Sequence, residues 1–184
     1  MSVQTRSQLQ DSALTITNET TAGANTAARV GGLFDDLADT ATLDRERGYA
    51  SLFVSGNTNF TPTSNTSVAL AVAMGTGIVS TYNFTNTSST VTYTGTTSAA
   101  LKVSANITFS ASNNREFEWY IAKNGNTIAS SKASLTMSHN NGHAVYVETY
   151  LTGAANDVFA LYVKSIDSSS AITIQSLNFT AVTL

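Results

Sequence analysis

The side chains equipped for chemistry are few in this sequence, and they lie in three places. The stretch "SHNNGHAV" sets His139 and His143 in an H-x3-H pattern, which on a helix would turn two imidazoles toward one metal ion. The intervening Asn-Asn-Gly makes a turn instead, and no third ligand is near in sequence, so two polar loop residues are expected. Asp35, Asp36 and Asp39 have the types for a cation site or acid/base work, but on a helix they form a solvated face. Glu116 and Glu118 stand two apart on one strand face, where Lys123 or Lys164 can pair with them, and a glycosidase would need its two carboxylates across a cleft. There is no G-x-S-x-G, no P-loop, no G-x-G-x-x-G after a strand and no H-E-x-x-H. The expectation is a non-enzyme with no catalytic residue, no metal site and no cofactor.

The composition narrows the partners. Only 11% of the 184 residues are charged, and 42% are apolar or aromatic, which argues for a packed core and against disorder. Polarity comes from Ser, Thr and Asn, residues that suit strands and turns better than helix interiors. A net charge of −3 leaves no electrostatic footprint for nucleic acid. Cysteine is absent, so disulfides and thiolate metal sites are excluded. The longest apolar run, "VALAVAM", is too short to cross a bilayer, and "MSVQTRSQLQDSALTI" has no basic region followed by an apolar one. A soluble protein made in a cytoplasm is expected, and the seven N-x-S/T triplets then read as accidents of composition.

The elements that would position any site fall into two regions. Residues 1–48 hold 4 basic and 7 acidic side chains, against 5 and 5 in residues 49–184. Residues 1–24 show no sustained period and read as an irregular segment ordered by a partner. From there Ala27, Val30, Phe34, Leu37 and Ala41 recur at alternating three- and four-residue steps, the a/d stripe of a coiled coil. Asn25 or Thr26 can cap the start, and Gly48 suits the residue just past the end. Two heptads weakened by Gly31 and Gly32 need a surface to pack on. That surface is either the chain's own β domain or, as favoured here, the same helix in other copies.

From Tyr49 onward short alternating runs separated by Asn, Gly, Ser and Thr predict an antiparallel all-β domain. Strands are predicted over 49–54, 67–74, 77–84, 90–95, 100–111, 116–123, 126–135, 144–152, 158–166 and 171–184. Asn124-Gly125 predicts a type I′ hairpin, because both central residues of that turn need positive φ. Phe117, Trp119 and Ile121 share one strand face, and the lone tryptophan is expected in the core. Tyr120, Tyr146, Tyr150 and Tyr162 lie opposite the aliphatic face of their own strands. They are expected to face outward on neighbouring strands, where they meet symmetry mates, lie scattered on the surface, or stack on sugar rings. In the last strand Ile172 and Ile174 are out of phase with Leu177, Phe179 and Ala181, so either a bulge shifts the register or both faces are buried. A strand buried on both faces would fit a subunit interface, and Leu177 and Phe179 join the four tyrosines as expected head contacts.

About ten short strands, the Asn-Gly hairpin and an apolar last strand together resemble the trimeric jelly rolls of the tumour necrosis factor/complement globular-head superfamily. The segments "YNFTNTSSTVTYTGTTSAALKVSANITF", "WYIAKNGNTIASSKASL" and "DVFALYVKSIDSSSAITIQSLNF" resemble those of the versions that cap bacteriophage fibres, over roughly residues 66–184. "AARVGGLFDDLADT" resembles the short helix that often precedes phage fibre and spike domains. The resemblance implies a mainly β jelly-roll sandwich behind a short N-terminal helix, assembled as a homotrimer with one sheet lining the threefold axis. It implies a virion location, with residues 1–24 anchored to other virion proteins, 25–48 a helical stalk and 49–184 the head. No receptor motif of that family maps onto this chain. Host-surface attachment through a glycan or other receptor is the expected function, with loops 124–127 and 138–143 as the candidate contacts. A purely structural fibre or decoration protein is the alternative, and a non-viral adhesin or lectin the weaker one. No nucleic acid and no membrane insertion are expected.

Overall fold

The computed structural model of the chain describes residues 32, 34, 48–79, 83–112, 114–138 and 140–184. The chain divides into two units, Met1–Glu46 and Arg47–Leu184. Of the first, Gly32 and Phe34 are described, both helical, and Phe34 is exposed. Ala27, Val30, Leu37 and Ala41 lie outside the described residues. The second unit is the head.

Alternation of apolar residues with Ser, Thr and Asn gives each head strand one face for a core and one for the outside. The strands are β1 (Tyr49–Phe60), β2 (Val68–Ala69), β3 (Gly75–Val79), β4 (Phe84–Asn86), β5 (Thr90–Tyr93) and β6 (Ala99–Ala111). Then follow β7 (Glu116–Lys123), β8 (Asn126–Thr127), β9 (Ala133–Thr136), β10 (His143–Gly153), β11 (Val158–Ser165) and β12 (Ile172–Thr183). Three predicted strands are broken. Residues 77–84 divide between the end of β3 and the start of β4, which belong to different sheets. Residues 126–135 become β8, a 3-10 turn at Ala129–Ser131 and β9, because the Ser131 hydroxyl donates to the Ile128 carbonyl and accepts from the Ile121 N–H. Residues 67–74 pair only at Val68–Ala69, although Leu70, Val72 and Met74 still alternate into the core.

Two antiparallel sheets result. One has five strands in the order β10-β6-β12-β1-β3; the other has seven, with β4-β5-β11-β7-β8 as its path, β2 beside β11 and β9 beside β7. From β5 to β12 the chain passes back and forth between the sheets, with β6, β10 and β12 in the first and β5, β7, β8, β9 and β11 in the second. That is an antiparallel jelly-roll sandwich, as the sequence predicts.

The core lies between the sheets. Phe109 of β6 meets Phe117 edge-on at 5.6 Å between ring centres and Trp119 at 5.0 Å, both on β7 of the other sheet. Trp119 is fully buried, as expected. Each such ring contributes about 1.5–3 kcal/mol of hydrophobic stabilisation. The hairpin forms as predicted, with Asn124 at φ 51° and Gly125 at φ 80°.

The phase change in β12 is a bulge. Ile174 pairs with Phe109 and Ser176 with Thr108, so Gln175 is the extra residue. Ile172 and Ile174 before it, and Leu177, Phe179 and Ala181 after it, all face the chain's own core, Phe179 at 0% and Leu177 at 3% exposure. The expectation that Leu177 and Phe179 contact another subunit is corrected accordingly: the bulge turns both inward.

Candidate subunit interface on the five-stranded sheet

The four outward tyrosines do not form one set. Tyr120 on β7 and Tyr162 on β11 are direct cross-strand partners in the seven-stranded sheet. Tyr146 and Tyr150 both belong to β10, the edge of the five-stranded sheet. The expectation that all four lie on neighbouring strands is corrected: the pairs occupy opposite sides of the sandwich.

The outer face of the five-stranded sheet is built in rows, because register partners on antiparallel strands point the same way. One row runs Tyr146, Asn106, Asn178, Phe53 and Gly75 across β10, β6, β12, β1 and β3. Another runs Tyr150, Lys102, Val182 and Tyr49. Between them lie Glu148, Ser104, Thr180 and Ser51, with the Ser104 and Thr180 hydroxyls hydrogen-bonded at 2.9 Å. Two rows, each with an aromatic on β10 and another on β1, thus bracket a row of polar side chains. Phe53 lies over Gly75, where a Cβ would come within 2.8 Å of the ring. In the described part of the head the exposed large hydrophobics are Phe53 (41%), Tyr146 (46%), Tyr150 (60%) and Leu184, and the first three share this face. A hollow of about 380 Å³ opens beside Tyr146, lined by Asn106, Thr108, Ala144, Ser176 and Asn178.

Charge on this face is minimal. Lys102 and Glu148 are the only Lys, Arg, Asp or Glu in its five strands, and they pair at 3.0 Å. The Tyr146 hydroxyl donates to Glu148, and the Lys102 ammonium stands 5.6 Å from the Tyr150 ring centre. The Tyr146 hydroxyl and then the Lys102 ammonium hold the Glu148 carboxyl below its ordinary value, while Glu148 holds the Lys102 ammonium above its own.

On the side of the seven-stranded sheet, Glu118 and Asp157 each sit in a closed cluster. Glu118 is buried, accepts from the Tyr120 hydroxyl at 2.6 Å, and pairs with Lys132 and, at 3.5 Å, with Lys164. Burial pushes its carboxyl up, but Lys132, Tyr120 and Lys164 together hold it below the ordinary carboxylate range. Burial and the adjoining Glu118 push the Tyr120 hydroxyl up to about 12. Asp157 pairs with Lys123 at 2.7 Å and accepts from the Asn124 amide at 2.7 Å and the Ala154 N–H at 2.6 Å, which ties the hairpin to the turn before β11. These carboxylates are engaged on every side, a structural arrangement with no oxygen poised for proton transfer. The expected partners of Glu118 included Lys164 but not Lys132, and Lys123 belongs to Asp157.

His143 opens β10 opposite Phe109 rather than lying in a loop, and His139 is outside the described residues. Among the described residues no three His, Cys, Asp or Glu side chains gather as a metal site. Sequence reasoning missed Phe53, Tyr49, Lys102 and Glu148 as members of the aromatic face. The signal was present for Phe53 and Tyr49, which alternate with Ala50, Leu52 and Val54 in "YASLFV".

No protein-family model and no curated protein matches the chain. Among solved structures, Eiger TNF from S. frugiperda covers 75% of this chain and 94% of its own at 13% identity, with a TM-score of 0.53. Murine APRIL at pH 5.0 covers 75% and 99% at 8% identity, with a TM-score of 0.52. A looser likeness, at a TM-score of 0.46, is to PRD1 vertex protein P5, covering 74% and 96% at 12% identity. At these identities the likeness is one of fold: the head is a tumour necrosis factor-like jelly roll.

Proposed function

We propose that this chain is one subunit of a homotrimeric, non-enzymatic bacteriophage fibre or spike. Residues 1–24 anchor it to other virion proteins, residues 25–48 form a short helical stalk, and residues 49–184 form the head. The head attaches to a glycan or other receptor on the host surface. The observation that supports assembly is the outer face of the five-stranded sheet, where Phe53, Tyr146 and Tyr150 are exposed beside a single self-neutralised ion pair. A sheet face with three exposed aromatics and no net charge suits contact with another protein better than full solvation. The number three, the virion and the attachment role come from the resemblance of the quoted segments to phage fibre heads. Leu177 and Phe179 have no part in the contact, which falls to Tyr146 and Tyr150, while Tyr120 and Tyr162 are left on the other side of the sandwich.

Two measurements test the proposal. Solution mass should be three times 19.3 kDa at micromolar concentration, and a mass of one chain would sink both stalk and head interface. The trimer should bind host cells saturably. A trimer that binds no host would favour a structural decoration that contacts only other virion proteins.

A further inference from the structure

We infer that Asn141 is a site of spontaneous modification, where asparagine converts to aspartate or isoaspartate, and that Asn124, which also precedes a glycine, is shielded from the same reaction by its bonds to Asp157 and Val158. The inference is independent of assembly and of any receptor.

Asn-Gly occurs twice in the sequence, at Asn124-Gly125 and at Asn141-Gly142. The pair is prone to self-reaction because glycine has no Cβ to block the approach of its backbone nitrogen to the preceding side chain. That nitrogen attacks the asparagine Cγ. A new N–C bond forms as the bond from Cγ to the amide nitrogen breaks, and the backbone N–H proton leaves with the amide as ammonia. Water then opens the cyclic imide at either carbonyl, leaving aspartate or isoaspartate and one added negative charge.

Both pairs are exposed to solvent, so access of water does not tell them apart. Hydrogen bonding does. The Asn124 side-chain amide donates to Asp157 Oδ1 at 2.7 Å, and its oxygen accepts from the Val158 N–H at 2.8 Å. The Asn124 N–H donates to the Val158 carbonyl at 2.8 Å, and Asp157 is itself fixed by Lys123 and the Ala154 N–H. Cγ of Asn124 can swing toward the Gly125 nitrogen only by breaking both side-chain bonds, one of them to a charged carboxylate, which should slow the reaction by roughly tenfold or more. Asn141 lies just before β10, and among the described residues its side chain has no hydrogen-bond partner. Gly142 packs against Gln175, the bulge residue of β12, where an added Cβ would collide with the Gln175 amide oxygen. Packing thus suits a residue without Cβ at 142, and its absence leaves the backbone nitrogen open beside an untethered asparagine. The two pairs fall in loops 124–127 and 138–143, so with age the first keeps its chemistry and the second acquires charge.

The unmodified full chain would be aged in mildly alkaline buffer, both folded and in denaturing urea, and followed by isoelectric focusing and peptide mass mapping. The folded chain should gain one acidic step from its net charge of −3, carried by the peptide that holds Asn141. Asn124 should react roughly tenfold or more slowly. In urea, where its hydrogen bonds are lost, Asn124 should react as fast as Asn141. G142A should lose the acidic step on the same time scale. D157A should speed the reaction at Asn124 in the folded chain, and the urea comparison decides the same point should that variant fail to fold. Equal rates at the two sites in the folded chain overturn the shielding of Asn124. A folded chain in which Asn141 stays intact while it reacts in urea overturns the site.

Discussion

Lys102 and Glu148 meet at 3.0 Å across β6 and β10, and they are the only charged pair on a face whose other members are aromatic, aliphatic or small and polar. The Glu148 carboxyl is held below its ordinary value of 4.5 by Tyr146 and Lys102. A carboxyl with a depressed value contributes stability above its unfolded value and loses it as pH falls through the folded one. Covered by a second copy, the pair stays neutral only while Glu148 is ionised. Protonation would leave the Lys102 charge uncompensated. Trimer mass is expected to persist from pH 7 to about 5 and to decline at lower pH. E148Q should weaken assembly at neutral pH and flatten the acid step. Sedimentation across the pH range checks it, and an unchanged acid step in E148Q refutes it.

The exposed and buried aromatics of the same sheet should respond oppositely. F53D places a charge on the aromatic face without touching the core, and should weaken assembly by roughly tenfold or more. The melting temperature of the dissociated chain should stay within a few degrees of the parent. F179A instead opens a cavity between the sheets, and should cost about 3–5 kcal/mol of folding stability. Thermal denaturation beside solution mass separates the two. A markedly lowered melting temperature in F53D with assembly undiminished would place Phe53 in the wrong role.

Glu118 should matter to the fold of one chain and not to assembly. E118Q leaves Lys132 and Lys164 without their carboxylate, and should cost about 1–2 kcal/mol, discounted because the lysine partners are partly exposed. Its carboxyl sits below 4.5, so the contribution is present above that pH and lost as acid protonates it. Chemical denaturation at pH 7 and pH 3 should show the gap between parent and E118Q close at the lower pH. A gap that persists at pH 3 would show that packing, not charge, sets the effect.

The stalk and the head can be separated by mutation. Phe34 is helical and exposed at 64%, on the stripe with Leu37 that the proposed stalk uses. F34D with L37D should lower helix content seen by circular dichroism and leave trimeric mass unchanged, since two heptads with two glycines add little by themselves. A monomeric double variant would place the principal contact in the helix.

Much of the head was legible in the residues because the signals are local. Period-two alternation marks β6, β7, β10 and β11 to within a residue or two at their ends, and it sends Trp119 inward. Asn124-Gly125 marks its turn through the backbone freedom of those two positions. The same local logic failed at "NTIASSKASL", where one hydroxyl at Ser131 replaces ladder bonds and ends a strand early. It left Gln175 ambiguous as well, since one extra residue inverts the face of everything after it.

Amino-acid order by itself thus determined which side chains of each strand share a face, where the hairpin turns, and that charge is scarce. Only the tertiary structure decided which face belongs to which sheet. β10 lies against β6, more than thirty residues earlier in the chain, while β7 and β11 pair on the far side of the core. That pairing parts Tyr146 and Tyr150 from Tyr120 and Tyr162, and it puts Phe53 in one row with Tyr146. The physical reason is that alternation along a strand is a property of neighbouring residues. Register between strands is a property of the whole core, set by the packing of Phe109 on Phe117 and Trp119 and by one bulge in β12.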